Sequence, residues 1–162
     1  MQYWAVLQIL ILLILANGSP VIAKNILGNY CSWPLDVNTM FVDGRPLFGA
    51  SKTVRGILVS IVTTSACAPL LGLKLEIGLV VATTAMAGDL LSSFMKRRLG
   101  LQSSSRAVGL DQIPESLFPL LACREALALS VLDIVVGVVV FFAGEVLLSL
   151  LLYKVHIRDR PY

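Results

Sequence analysis

An all-α, polytopic integral membrane protein of about five transmembrane helices is the fold class that three observations predict. The 162-residue chain is 57% hydrophobic and only 14% charged, where typical soluble domains carry about 25% charged residues. Its mean hydropathy is +0.85. The apolar residues also fall in runs long enough to cross a bilayer, which takes roughly 20 residues. One soluble core could not bury so much apolar surface. Cys31, Cys67 and Cys123 are widely spaced and odd in number, with no CxxC pair, so they read as packing residues or free thiols.

The first span is expected over about 2–23. Its first dozen residues hold no Lys or Arg, so the positive n-region of a signal peptide is missing. An uncleaved span is expected, broken near its inner end at Pro20. Residues 24–53 form the longest polar segment, with Gly and Pro punctuation that predicts an irregular loop. The second span runs over about 54–71 and the third over about 75–95. A serine-rich loop, 96–112, leads to a fourth apolar stretch at 113–128, the weakest of the set because it contains Pro114, Pro119, Arg124 and Glu125. A fifth span is expected over 131–153, with Asp133 near its outer end and Glu145 embedded nearer its inner end. The whole chain, 1–162, reads as one transmembrane domain.

Five spans put the termini on opposite sides, and the basic residues choose the sides. Lys24, Arg45, Lys52, Arg55, Lys96, Arg97, Arg98, Arg106, Lys154, Arg158 and Arg160 fall in the two long loops and the tail, against Lys74 and Arg124 elsewhere. Loops 24–53 and 96–112 and the C-terminus are therefore expected to be cytoplasmic, with the N-terminus outside. Every polar cluster then lies on the side where nucleotides are.

The third span holds the most telling constellation. An aspartate, Asp89, stands inside it, where a lone charge costs on the order of several kcal/mol. Helical spacing places Asp89, Ser93 and Lys96 on one face, with Ser92 beside them. Lys96, Arg97 and Arg98 follow roughly 10 Å further along the helix. An ion pair is one reading of Asp89. The other is a hard-cation ligand, since Mg²⁺ is typically held by one or two carboxylates plus substrate phosphates.

Ser51, Lys52, Thr53 and Arg55 stand at the entrance to the second span. Gly44 and Gly49 have P-loop spacing, but the loop requires Gly directly before Lys and a preceding strand, so that match fails. Two readings remain open: an anion site at a helix N-terminus, or a pair of snorkelling anchors. Asp111 could begin a turn or cap the next helix; equally, its loop can return it beside Asp89. Asp36 and Asp43 are weaker candidates. His156 is the only histidine and sits in the polar tail, with no serine or cysteine pairing that argues for acyl transfer.

Taken together, Pro34-Leu35-Asp36, Asp43-Gly44-Arg45-Pro46-Leu47-Phe48-Gly49, Ser51-Lys52-Thr53-Val54-Arg55-Gly56, Gly88-Asp89-Leu90 with Ser93 and Lys96-Arg97-Arg98, and Leu110-Asp111-Gln112 resemble the CDP-archaeol synthase family. Ala16-Asn17-Gly18-Ser19-Pro20 and the closing Arg158-Asp159-Arg160-Pro161-Tyr162 fit the same likeness, which covers nearly the whole chain. The sequence departs from the pattern at Pro114, Glu145 and Ser149. The family is similar to the phosphatidate cytidylyltransferases, membrane enzymes that use CTP and Mg²⁺. The resemblance implies transfer of CMP from CTP to a membrane lipid phosphate, with release of pyrophosphate. It implies Lys52, Asp89, Lys96 and Asp111 as the catalytic set. Asp89 and Asp111 would hold Mg²⁺, and Ser51, Thr53, Arg55, Ser93 and Arg97 would bind nucleotide or phosphate. CTP, a lipid phosphate, membrane lipids and a second copy of the chain are the partners expected; nucleic acid is not. The expected location is the cell (inner) membrane, with the site on its cytoplasmic face. Two rival readings are a small transporter using Asp89, Asp133 and Glu145 as an ion path, and a non-catalytic membrane scaffold.

Overall fold

A computed structural model describes residues 1–37, 39–103 and 107–154, with side chains described through 148. Arg106, His156 and the tail that holds Arg158 and Arg160 lie outside the described residues, as does the side chain of Ser149. Five α-helices follow one another: α1 (Tyr3–Leu27), α2 (Val54–Cys67), α3 (Leu75–Arg98), α4 (Gln112–Ala122) and α5 (Val131–Lys154). A short 3-10 turn, Ala68–Leu71, extends α2. The described residues contain no named strand, only isolated bridges between Pro34 and Thr53 and between Met40 and Pro46. Four of these segments (Tyr3–Leu27, Val54–Leu71, Leu75–Arg98 and Val131–Leu148) are long and apolar enough to cross a membrane.

The fourth expected span, 113–128, differs. α4 has 11 residues, roughly 16 Å of helix at 1.5 Å per residue, about half of a hydrocarbon core near 30 Å. Pro119 lies inside it and cannot donate to the carbonyl four residues earlier. Beyond Ala122 the backbone turns, with Cys123 N bonded to the Pro119 carbonyl and Leu129 N to that of Arg124. Hydropathy registers the apolar residues of this stretch and not the turn.

Pro20 also behaves differently from expectation, because α1 runs through it to Leu27. A proline removes the N–H that would bond the carbonyl of Ala16. That carbonyl instead accepts a hydrogen bond from the Ser60 hydroxyl of α2 at 2.8 Å. In an apolar surround every such group needs a partner inside the protein, and the neighbouring helix supplies it.

α1 and α3 form the centre of the bundle. Ile9, Leu12, Leu13 and Ala16 of α1 pack with Val81 and Ala85 of α3, Leu120 of α4, and Ile134 and Phe141 of α5. Close approach depends on small residues, as membrane helices require. A Cβ added at Gly78 would fall 2.7 Å from the Ala68 Cβ, and one at Gly88 only 2.4 Å from the Pro114 carbonyl oxygen. Leu58, Val62, Val139 and Val140 face outward, as lipid-facing residues should. Gln2 N, before α1, donates to Asp133 near the start of α5 at 2.9 Å. The described residues of 24–53 and 96–111 gather at the opposite end of α1.

Ser60→Ala is expected to cost about 1–3 kcal/mol by orphaning the Ala16 carbonyl. The cost should shrink in a Pro20→Ala background, where the helix regains its own N–H donor. Thermal unfolding of the four proteins of this cycle in detergent measures the difference; equal losses in both backgrounds would refute the pairing.

Candidate functional site

A cavity of about 620 Å³ opens at the end of the bundle where α1 and α3 finish and α2 begins. All nine residues singled out from the sequence line it: Ser51, Lys52, Thr53 and Arg55 from the first loop and α2, Asp89, Ser93, Lys96 and Arg97 from α3, and Asp111 before α4. Asp89, Ser93 and Lys96 share the face that their spacing predicts. Asn17, Lys24, Glu115 and Glu145 are among the other polar residues of the lining.

Opposite charges meet across elements. Lys52 pairs with Asp89, and Lys96 Nζ lies 2.7 Å from Asp111 Oδ1. Lys96 and Arg97 are both buried. The Asp111 side chain does not cap α4; it accepts from Ala107 N at 3.2 Å and faces Lys96. Thr53 does cap α2, its hydroxyl accepting from Gly56 N at 3.1 Å. Val54 N is bonded to the Trp33 carbonyl. Two N–H groups of the supposed anion-binding helix end are therefore already satisfied, so the positive side chains carry that role. Arg55 itself grips the carbonyls of Gly28 and Tyr30, which fastens the chain after α1 to the start of α2. The Arg97 guanidinium bonds the Gln102 carbonyl at 2.8 Å, and Ser103 donates to Ser51 at 3.2 Å.

The first loop is held by its own charged residues. Asp36 is buried and accepts from Phe48 N at 3.0 Å and Gly49 N at 2.9 Å. Leu35 N bonds the Lys52 carbonyl at 2.8 Å, so this fold of the loop presents Lys52 directly. Arg45 donates to the carbonyls of Arg97 and Arg98 at the end of α3. Arg98 pairs with Asp43 and lies 4.6 Å from the Phe41 ring centre and 4.9 Å from that of Phe94. Asp36, Asp43 and Arg98 are thus absorbed in anchoring the loop, and none of them lines the cavity.

Asn17 and Glu115 are lining residues outside the expected set that meet each other. Glu115 is only 7% exposed and accepts from Asn17 Nδ2 at 3.0 Å. The available signal was the four-residue spacing from Asp111 to Glu115, which puts both on one helical face. Asp133 lies elsewhere. It is 1% exposed and accepts from Gln2 N, Ser130 N and the Ser130 hydroxyl. Because it fastens α5 to the far end of α1, Asp133 does not continue a charged path from Asp89.

One flank of the cavity is apolar, formed by Val21, Met86, Leu90, Val146 and Leu148. Val21 and Leu148 are themselves exposed on the outer surface. Among the described residues the lining has neither histidine nor cysteine. This arrangement suits a polyanion held by ammonium and guanidinium groups beside an apolar chain. It can neutralise charge and orient groups, and the described lining supplies no thiol or imidazole.

Comparison with known proteins agrees with this chemistry. The CarS-like family, described as CDP-archaeol synthase, matches residues 3–162. The CDP-archaeol synthase of Sulfurisphaera tokodaii is 34% identical over 168 aligned positions, spanning 99% of this chain and 98% of that one. That of Pyrococcus furiosus is 39% identical over 107, or 60% of each chain. A solved structure described as an intramembrane enzyme for archaeal membrane lipids biosynthesis superposes with a TM-score of 0.70 at 27% identity, over 86% of this chain and 91% of the other.

Asp36→Ala should release the Phe48 and Gly49 amides and loosen the loop behind Lys52. Hydrogen–deuterium exchange in detergent is expected to accelerate at these two amides by about tenfold or more, equivalent to losing roughly 1.4 kcal/mol of protection. Unchanged exchange there would contradict the anchoring role.

Proposed function

The chain belongs to the CDP-archaeol synthase family, and from that premise we propose that it transfers CMP from CTP to a membrane lipid phosphate. An oxygen of the lipid phosphate attacks the α-phosphorus of CTP. The bond from that phosphorus to the β-bridging oxygen breaks, and pyrophosphate leaves with the electron pair. The nucleophile arrives already ionised, so no side chain has to remove a proton. Catalysis then rests on positioning and on neutralising charge.

The observation that carries this reading is a cavity with a charged end and an apolar flank, the match for an amphiphile with an anionic head. Lys52 and Lys96 sit closest to carboxylates, and a triphosphate would draw both ammonium groups onto its oxygens. Arg97 adds a planar donor suited to phosphate. Ser51, Thr53 and Ser93 offer hydroxyls, Thr53 already engaged by its helix. Arg55 acts mainly by holding the loop.

Among the described residues, no three Asp, Glu, His or Cys side chains group closely enough to hold a metal alone. Mg²⁺ does not need such a cage, because it takes one or two carboxylates and completes its shell with phosphate oxygens and water. Asp89 and Asp111 each already face a cation, an ammonium group, so their environments fit that role. They would hold Mg²⁺, which when bound supplies further neutralisation of the triphosphate. The excess of Lys and Arg on the loops of this end supports a cytoplasmic site in the cell membrane. The curated relatives favour an archaeal-type ether phosphate as the lipid.

Pyrophosphate release tests this directly, using purified protein in liposomes with CTP, Mg²⁺ and either phosphatidic acid or an unsaturated archaeal-type ether phosphate. Release is expected only with lipid, fastest with the ether phosphate, and lowered by Asp89→Asn by about 10²-fold or more. Release without lipid, or release indifferent to the substitution, would overturn the assignment.

A further inference from the structure

The chain has two tryptophans, Trp4 and Trp33, and the reaction as outlined uses neither. Trp4 stands beside Tyr3 at the start of α1, and both are exposed. Trp33 and Tyr30 belong to the first loop, where they are 71% and 74% exposed. Backbone bonds fix where this second pair sits. The Trp33 carbonyl accepts from Val54 N at 3.1 Å, and Val54 is the first residue of α2. The Tyr30 carbonyl accepts from the Arg55 guanidinium, while Tyr30 N is bonded to the Leu27 carbonyl at the end of α1 at 3.0 Å. Leu27 and Val54 are exposed as well. Both aromatic residues are therefore held level with the first turn of one span and beside the last turn of another.

Helix lengths give the depth of that level. α2 and the 3-10 turn after it have 14 and 4 residues, together about 29 Å of span. The stretch of α3 from Leu75 to Lys96 covers roughly 32 Å. A hydrocarbon layer of about 30 Å that begins near Leu71 and Leu75 thus ends near Val54 and Lys96, the level of Trp33. We propose that Trp33 and Tyr30 lie in the headgroup layer, so that this part of the first loop binds the lipid surface. Tryptophan and tyrosine suit that layer because the ring prefers an apolar surround while its N–H or O–H needs a polar one. Tyr3 and Trp4 form the matching belt at the far end of α1. A partner protein would place no demand on depth, and water would leave a bare indole with no favourable contact. Ser51, Lys52 and Thr53, which line the cavity just before α2, then stand at headgroup depth. A lipid phosphate can meet them there without leaving the bilayer.

The proposal depends on the spans and not on the reaction, so its test leaves turnover aside. Trp4→Phe makes Trp33 the sole tryptophan of the full chain. The variant is reconstituted in phosphatidylcholine liposomes whose acyl chains carry bromine either near the headgroup or near the chain ends, and its fluorescence is measured. Trp33 emission should be quenched at least about twofold more strongly by the shallow bromine than by the deep one. If Trp4→Phe does not fold, the difference between unsubstituted protein and Trp33→Phe isolates the same indole. Emission that ignores both bromolipids but is quenched by aqueous iodide would put Trp33 in water and overturn the proposal. Emission indifferent to bromolipid and iodide alike would overturn it too, because protein, such as a second copy of the chain, would then cover the ring. Stronger quenching by the deep bromine would contradict the headgroup level.

Discussion

The pairing of Lys52 with Asp89 and of Lys96 with Asp111 is the constraint on which this end of the molecule depends. Charges at the boundary of an apolar bundle are costly alone, and each of these partly buried ions is offset by its neighbour. The two pairs bind the first loop to α3, and α3 to the segment before α4. They therefore shape the cavity and also store, side by side, the cations that a triphosphate needs and the carboxylates that a metal needs. A ligand that brings both charges, such as CTP with its magnesium, can replace each internal partner with an external one. The site can be stable when empty and charged when filled for the same electrostatic reason.

Backbone geometry makes those pairs reachable. α4 can enter the site only where α3 carries a glycine, and α1 can continue past its proline only because Ser60 satisfies the Ala16 carbonyl. That continuation carries Lys24 and Asn25 to the cavity wall. The first loop has almost no regular structure, yet the side chains of Asp36, Arg45, Arg55 and Arg98 hold it through hydrogen bonds with backbone groups. Several charged residues of this family pattern thus build the platform, leaving Lys52, Lys96 and Arg97 to face the cavity.

Apolar runs made α1, α2, α3 and α5 legible from the sequence, and helical spacing made the Asp89–Ser93–Lys96 face legible as well. The nine candidate residues could be gathered because each lies beside a loop on the same side of the bundle. What the sequence hid were relations between helices. The length of α4 depends on a turn after Ala122, which its hydropathy does not register. The persistence of α1 beyond Pro20 depends on a hydroxyl 44 residues away. The bond from Asn17 to Glu115 joins α1 to α4 across 98 residues, a pairing that no spacing along the chain announces. Thr53 resembled an anion ligand in sequence, and in the fold its hydroxyl caps a helix.

Isothermal titration of the purified protein with CTP and Mg²⁺, without lipid, tests the central claim most directly. The claim is that Lys52 and Lys96 leave their aspartates to hold the nucleotide's phosphates. One CTP should bind per chain, and Lys52→Met and Lys96→Met should each weaken it by about tenfold or more, roughly 1.4 kcal/mol or greater. Binding that survives both substitutions unchanged, in folded protein, would place the phosphates elsewhere and contradict the account.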